Sequence, residues 1–528
     1  RITASNDGHG LSSPNAQSII QDSFGNIWIG NYRGGIDFIS HTQPLFNTIT
    51  YKTEKYGHNC NKQVWGLWAD NNRQIWLGGE GELGIYKEGK EIEIIPLNQC
   101  RLNKQTHISV IHQDKHGDLW LGTHKHGVAI YHPDTKRITC IGDDKDGSLD
   151  ILCFYEDTDG KIWIGTQSGL YSAYNRELTQ EDKINRLLTN KGIRSILKDK
   201  NGKLWIGAKG LFLFDDKGQL FQELTTEQSF PIRSVNYLME DSRKRIWVGT
   251  NDGILVFRDA SHLEDYSHYG TKEGLQNTNV RAIQEDHDGT IWLSTNAGIS
   301  RLDEKTKTFY NYNHYDGVPM GDFMDGSTCI STDGILYFGS QGGACYFTPG
   351  EVNSIRKPAP VTITQFSIYD KQTESKDTEH PLPLTDANIQ LPYNQNTFKI
   401  SFNVLDYAIS SQVEFSYILE GLENTWYNTQ GEKQIIFRNI PPGHYTFKVK
   451  TRLRNQEWEK DEATLHIRIT PPFWLSWYAK LIYALLIILI IYGVSRFYKR
   501  KLDLESSLEV ERKQSLNKQE LNEERLRF

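Results

Sequence analysis

Six histidines crowd one short stretch of this sequence: His107, His112, His116, His124, His126 and His132. Imidazoles at that density could bind a divalent cation or pass protons. In an extended segment alternate side chains share a face, so His124 and His126 would form a metal pair. No carboxylate or third histidine stands at a spacing that completes such a site. Surface histidines are the favoured reading, and no metal is expected. Six cysteines occur in 528 residues without a CxxC pair, which excludes a zinc ribbon and a disulfide scaffold. Cys140 and Cys153 lie close enough in sequence to leave a bridge open. Cys329 and Cys345 are expected on non-adjacent strands, about 10 Å apart and too far to pair. Buried free thiols are the default. No Ser-His-Asp order, phosphate loop or paired-carboxylate motif emerges, so no catalytic residue and no cofactor is assigned. A cluster assembled from distant residues stays open.

The elements that would position such groups are written as repeats. The strings DSFGNIWIG, DNNRQIWLG, DKHGDLWLG, DTDGKIWIG, DKNGKLWIG, DSRKRIWVG and DHDGTIWLS place Trp28, Trp76, Trp120, Trp163, Trp205, Trp247 and Trp292 at steps of 42 to 48 residues. An eighth, degenerate copy, STDGILYFG, has Tyr337 at the tryptophan position. Each unit reads as four strands: a V/I-x-x-I/L-x-x-D run, a D-x-x-G turn, I/L-W-I/L-G, a strand after a glycine, and a weaker fourth. A period of about 40–50 residues with four antiparallel strands is the signature of propeller blades. The turn differs from the Asp box of sialidase-type propellers, because its Asp lies three residues before the Gly, and it is read as structural. The 44 glycines and 12% aromatic content agree with short strands and tight turns. A net charge of −7 argues against a generic nucleic-acid binder.

The expected fold is all-β, with a β-propeller over residues 1–350. Seven blades are favoured over eight. The chain begins at Arg1 rather than Met and ends inside a charged helical pattern, so it reads as a piece of a longer protein. With seven blades the first copy would belong to an upstream propeller. With eight, Arg1–Ser5 would complete the last blade.

Within each V-x-x-I-x-x-D run the second position escapes the pattern: Gln17, Trp65, Ser109, Leu152, Arg194, Asn236, Arg281 and Gly326. If this run is the innermost strand, these residues encircle one channel mouth. An aromatic face (Trp65), two guanidiniums (Arg194, Arg281) and two amides (Gln17, Asn236) suit a sugar, the arginines taking a uronate or sulfate. Arg233 and Trp68 lie near them in sequence. The alternative is that the ring only fills the channel or touches an upstream propeller.

Beyond Pro358-Ala359-Pro360 the pattern changes. Residues 358–470 alternate apolar and polar, as in Phe398-Lys-Ile-Ser-Phe402 and Tyr445-Thr-Phe-Lys-Val449, and predict a β-sandwich of immunoglobulin type without its Cys…Trp…Cys core. Residues 474–495 carry one charge, Lys480, and are long enough to cross a bilayer. Trp474, Trp477 and Tyr478 precede the apolar run, and Arg496, Lys499, Arg500 and Lys501 follow it, which puts the C-terminal side in the cytoplasm. Residues 496–528 read as a cytoplasmic helix that pairs with its copy, through an imperfect heptad.

These pieces together resemble the sensor half of the hybrid two-component system histidine kinases of gut Bacteroidetes. The resemblance rests on the propeller repeat of Val280–Thr295, on Phe415-Ser-Tyr-Ile-Leu-Glu-Gly-Leu422 with Trp426 after it, on Pro441-Pro442-Gly443-x-Tyr445, and on Pro471–Trp474 leading into the span. It implies a triple-tyrosine domain after the propeller and, upstream, a second seven-bladed propeller. It implies detection of glycan breakdown products and control of polysaccharide-utilisation genes. Leu521–Phe528 is similar to the helix before a phosphoacceptor histidine box. That histidine is absent from these residues, so this chain alone is not expected to be an enzyme, whereas the full-length protein is expected to be a histidine kinase. The implied partners are a second copy, through the membrane and cytoplasmic helices, an oligosaccharide and the membrane, without direct nucleic-acid binding. The implied location is the inner membrane, with residues 1–473 periplasmic. Two alternatives remain: the same sensor on a LuxR-type DNA-binding regulator, and a membrane-tethered propeller that binds or cleaves glycans.

Overall fold

The structure, a computed structural model, describes residues 11–526 apart from 42–43, 51, 56–57, 62, 89, 91, 100–101, 103–104, 142–148, 175–176, 186–187, 189–190, 216, 226–232, 353–358, 371–372, 378–386, 411, 430 and 454–456. Two compact units divide the chain, Arg1–Arg356 and Lys357–Phe528.

The first unit is a ring of seven four-stranded antiparallel sheets among the described residues. We number these blades one to seven from their innermost strands. Those strands are Gly66–Ala69, Ile108–Gln113, Ile151–Glu156, Ser195–Lys198, Val235–Glu240, Val280–Glu285 and Phe323–Ile330. Each blade has two apolar faces, so it is stable only between neighbours. Seven buried apolar clusters answer that need, each joining two consecutive blades. The cluster of Leu67, Ile75 and Leu77 with Cys329, Tyr337 and Ala344 joins blade one to blade seven and closes the ring. The Val64 amide also donates across that junction to the Ser340 carbonyl at 3.0 Å.

The eighth repeat copy supplies three strands of blade seven, and Asn47–Ile49 pairs with Gly343–Phe347 as its fourth. A strand from before blade one therefore latches the ring. Arg1–Ser5, the alternative source, lie outside the described residues. The copy around Trp28 forms a separate three-stranded sheet, Ala16–Gln21, Ile27–Asn31 and Gly35–Ile39. Its Ile19, Ile20 and Ile36 are exposed, in contrast to the apolar side chains between blades.

The repeated turn is a hydrogen-bond device. In blade four Asp199 accepts from the amides of Asn201 and Lys203 through Oδ1, and from Trp205 Nε1 through Oδ2, all at 2.9 Å. The other six tryptophan copies repeat the indole bond to Asp22, Asp70, Asp114, Asp157, Asp241 and Asp286. In the degenerate copy Ser331 stands for the Asp and Tyr337 for the Trp, and Ser331 Oγ accepts only the Ile335 amide. The glycine of I-W-I-G is fixed by contact: a Cβ at Gly165 would meet Cys153 Sγ at 2.4 Å and the Ile193 carbonyl at 2.7 Å. Cys153, Cys329 and Cys345 are free thiols, so no bridge joins Cys140 to Cys153. Burial pushes Cys153 up to about 12 and raises Cys329 and Cys345 as well.

The second unit opens with a sandwich of a four-stranded and a five-stranded sheet. Its core includes Phe366, Phe398, Phe402, Phe415, Phe447 and Val449 from alternate positions of the strands. The Tyr445 hydroxyl donates to the Pro441 carbonyl at 2.8 Å, a tyrosine corner of the immunoglobulin kind. A single 49-residue helix comes next, Trp477–Arg525. It begins three residues after the expected start because Phe473–Leu475 form a separate 3-10 turn and the Ser476 side chain caps the long helix by accepting the Ala479 amide. At 1.5 Å per residue the helix is about 74 Å long, more than twice the roughly 30 Å hydrocarbon core. Its apolar stretch is long enough to cross a membrane and is not buried.

Candidate functional site

The second position of each inner strand has a structural cause for its freedom. In blades two, three, five and six the strand register skips one residue, and the skipped residue is Ser109, Leu152, Asn236 or Arg281. Each is a β-bulge, unpaired by the ladder and re-aimed by the local twist. In blades one and four the equivalent residues, Trp65 and Arg194, keep one bond each, from their amides to the carbonyls of Gly78 and Gly207 at 2.9 Å.

Trp65, Ser109, Leu152, Arg194 and Arg281 line one cavity of about 600 Å³ at a channel mouth. A channel of about 420 Å³, lined in part by Trp68, His112, Tyr155 and Tyr237, shares Trp65, Ser109, Leu152 and Arg194 with it. The remaining ring positions differ from expectation. Gln17 lies on the separate three-stranded sheet, outside the seven-bladed ring. Asn236 is fully buried, and its Nδ2 donates to Asn251 Oδ1, Asn279 Oδ1 and the Val280 carbonyl. Gly326 belongs to a wider bulge: between Phe323 and Thr328 the strand of blade seven carries two residues more than its counterparts. That bulge presents Asp325 to Arg281, whose Nη1 donates to Asp325 Oδ1 at 2.7 Å while its Nε donates to Asn296 Oδ1 at 2.7 Å.

Several mouth residues escape a reading confined to the second position. His107, Asp150 and Asp322 precede inner strands, whereas His124, Gln167 and Gln341 come after second strands. The repeats offered a signal for the latter set. The residue after I/L-W-x-G-T varies freely among His124, Gln167 and Asn251. Trp65, His107 and His124 form an edge-to-face arc, with centroids 6.1 and 6.3 Å apart. His124 Nδ1 lies 3.0 Å from Asp150 Oδ1, and His107 Nε2 lies 3.9 Å from Glu80. Among the described residues no group of three or more His, Cys, Asp and Glu side chains could hold a metal ion.

Deeper in the channel His112 stacks edge-on to Trp68 at 5.0 Å, with Nε2 3.1 Å from Glu156. Burial lowers its pKa against the pull of Glu156, and burial raises Tyr237 to about 12. Both groups are neutral near pH 7, so these two wall residues contribute no charge. Among the described residues Arg194 and Asp322, which have no oppositely charged partner, stand at the mouth. This arrangement is equipped for recognition by stacking and charge-assisted hydrogen bonds.

Comparison with known proteins agrees with this architecture. The two-component regulator propeller signature matches residues 10–33, 147–168, 187–210, 229–252 and 274–297, and the Y_Y_Y domain matches residues 406–470. The extracellular domain of a hybrid two component system from B. thetaiotaomicron superposes with a TM-score of 0.79 at 36% identity, over 89% of this chain and 64% of that one. Histidine kinase P4 of Formosa agariphila is 26% identical over 440 residues, 80% of this chain and 29% of the kinase. The chain thus spans less than two thirds of either relative.

Proposed function

We propose that this chain, which joins two-component regulator propeller repeats to a Y_Y_Y domain and a membrane-length helix, is the ligand-sensing and transmembrane part of a hybrid two-component sensor kinase. The ligand is an oligosaccharide bound at the channel mouth, and the output is control of polysaccharide-utilisation genes. One observation supports the site above all: five second positions, Trp65, Ser109, Leu152, Arg194 and Arg281, converge on a cavity of about 600 Å³ that offers both an aromatic face and a guanidinium. Aromatic faces cover the apolar faces of sugars, and fixed donors bond their hydroxyls or acids. The periplasmic placement of residues 1–473 in a single-pass inner-membrane protein rests on the basic cluster Arg496–Lys501 after the span.

Signal must cross on one helix per subunit, and a ligand shifts an equilibrium only by its differential affinity for two states. The reading is therefore a dimer whose paired helices move relative to one another when ligand binds. Disulfide cross-linking along residues 481–495 should give different patterns with and without ligand, and one unchanged pattern would end this part of the reading. The binding site is tested by thermal shift of the full chain in nanodiscs against an oligosaccharide panel. Trp65→Ala should abolish the stabilisation by any hit while moving the ligand-free melting temperature by about 2 °C or less, because Trp65 stands outside the seven interblade clusters. An undiminished hit in Trp65→Ala would remove the mouth as the site.

A further inference from the structure

The mouth holds two guanidiniums in different states. Arg281 is neutralised by Asp325 at 2.7 Å. Arg194 spends only Nη1, on Ser234 Oγ at 3.0 Å and Asn236 Oδ1 at 2.9 Å, both uncharged. Among the described residues no carboxylate pairs with it, and its Nε and Nη2 make no hydrogen bond. Nε and Nη2 form the side-on edge of a guanidinium, the edge that takes both oxygens of one carboxylate or sulfate. The orientation of that edge is built in. Asn236 is fully buried and its own amide nitrogen is held by three acceptors, so the oxygen that grips Nη1 cannot turn away. Arg194 remains exposed within the cavity that Trp65 also lines.

The geometry points to an acidic sugar as the ligand, its carboxylate or sulfate bound bidentately on the Nε/Nη2 edge of Arg194, with Asn236 as positioning residue. This rests on the mouth being the sensor's binding site and narrows the ligand class there. The mouth is not generally basic. Asp322 lines it and has no cationic partner among the described residues. Anion affinity therefore comes from the one fixed edge, not from net charge, and Asp322 opposes it.

Full-length chain in nanodiscs would be titrated calorimetrically with four probes: sodium sulfate at constant ionic strength, digalacturonate, a sulfated disaccharide, and neutral galactobiose. Saturable binding of sulfate and of at least one acidic disaccharide is expected. Arg194→Gln should weaken it about tenfold or more, the loss of a bidentate charged contact. Arg194→Lys should recover part through charge alone, and Asp322→Asn should tighten it a few-fold. Arg194→Gln breaks no apolar packing, so its melting curve checks folding. Carboxylate and sulfate sources are separated by which disaccharide binds more tightly. Anion binding that is absent, or unchanged in Arg194→Gln, overturns the inference. If galactobiose then binds and needs Trp65, the glycan reading survives without it. Conversely, sulfate binding that needs Arg194 while no sugar binds leaves the anion edge standing but overturns both the acidic-sugar ligand and the glycan reading.

Discussion

Replacing Asp199 by alanine tests the bond pattern that every tryptophan copy shares. The Asp199 carboxylate is 7% exposed and accepts three hydrogen bonds, two from turn amides and one from Trp205, which is fully buried. Removal leaves the indole N–H in an apolar interface without an acceptor, at a cost of about 1–3 kcal/mol. The two turn amides can reach water through the vacated space and lose about 0.5–1 kcal/mol each. The total is about 2–5 kcal/mol. A ring of about 280 residues unfolds with an entropy near 0.6 kcal/mol/K, so the melting temperature should fall by about 3–8 °C. Asp199→Asn keeps one acceptor oxygen but turns an NH2 toward the indole, and should fall by about half as much. Blade seven supplies the internal control, because Tyr337 has no indole and Ser331 Oγ accepts one amide. Ser331→Ala should cost about 1 kcal/mol and shift melting by 1–2 °C. Calorimetry of the three variants at neutral pH reads all of this. An Asp199→Ala shift no larger than that of Ser331→Ala would refute the account, since the carboxylate would then not be what the buried indole needs.

Burial and charge set two further outcomes. Cys153, Cys329 and Cys345 are buried thiols with raised pKa values, so iodoacetamide at pH 8 should leave them unmodified in the folded chain and alkylate them in guanidinium. Mass spectrometry decides, and rapid native labelling of any of the three would contradict the packing. Burial tends to raise the Glu304 pKa, but hydrogen bonds and charge from Arg245 and Arg243 outweigh it and hold it below the usual value. A depressed carboxylate stabilises the fold above its unfolded pKa of about 4.3 and loses that contribution as pH falls through the folded value. Glu304→Gln should therefore be less stable than the parent at pH 7, by under about 1 kcal/mol at this partly exposed site, and the gap should narrow as pH falls from the unfolded value through the depressed folded one. A gap that does not narrow on acidification would show that charge is not its origin.

The same physics decides which features the sequence discloses and which it hides. The D-x-x-G-x-I-W-I-G string is legible because each of its residues meets a demand that recurs in every blade: the Asp must satisfy the indole, and the Gly must admit the next inner strand. The latch Asn47–Ile49 is three residues without a motif, pairing with a partner almost 300 positions later, and no local pattern marks it. The bulges are similarly silent, because a skipped residue leaves no periodic trace. Their effect is nonetheless what made the second position readable. A residue outside the ladder and outside the interblade core answers to neither, so its identity is free to differ between blades. The same freedom explains the misassignments. Asn236 occupies a bulge yet turns inward to brace Arg194, and Gly326 fell out of register because blade seven widens its bulge to deliver Asp325 to Arg281. Variation at one repeat position thus located the mouth. Which members keep donors unspent is decided by hydrogen bonds between neighbouring blades, where Arg194 is left with a free edge and Arg281 is not.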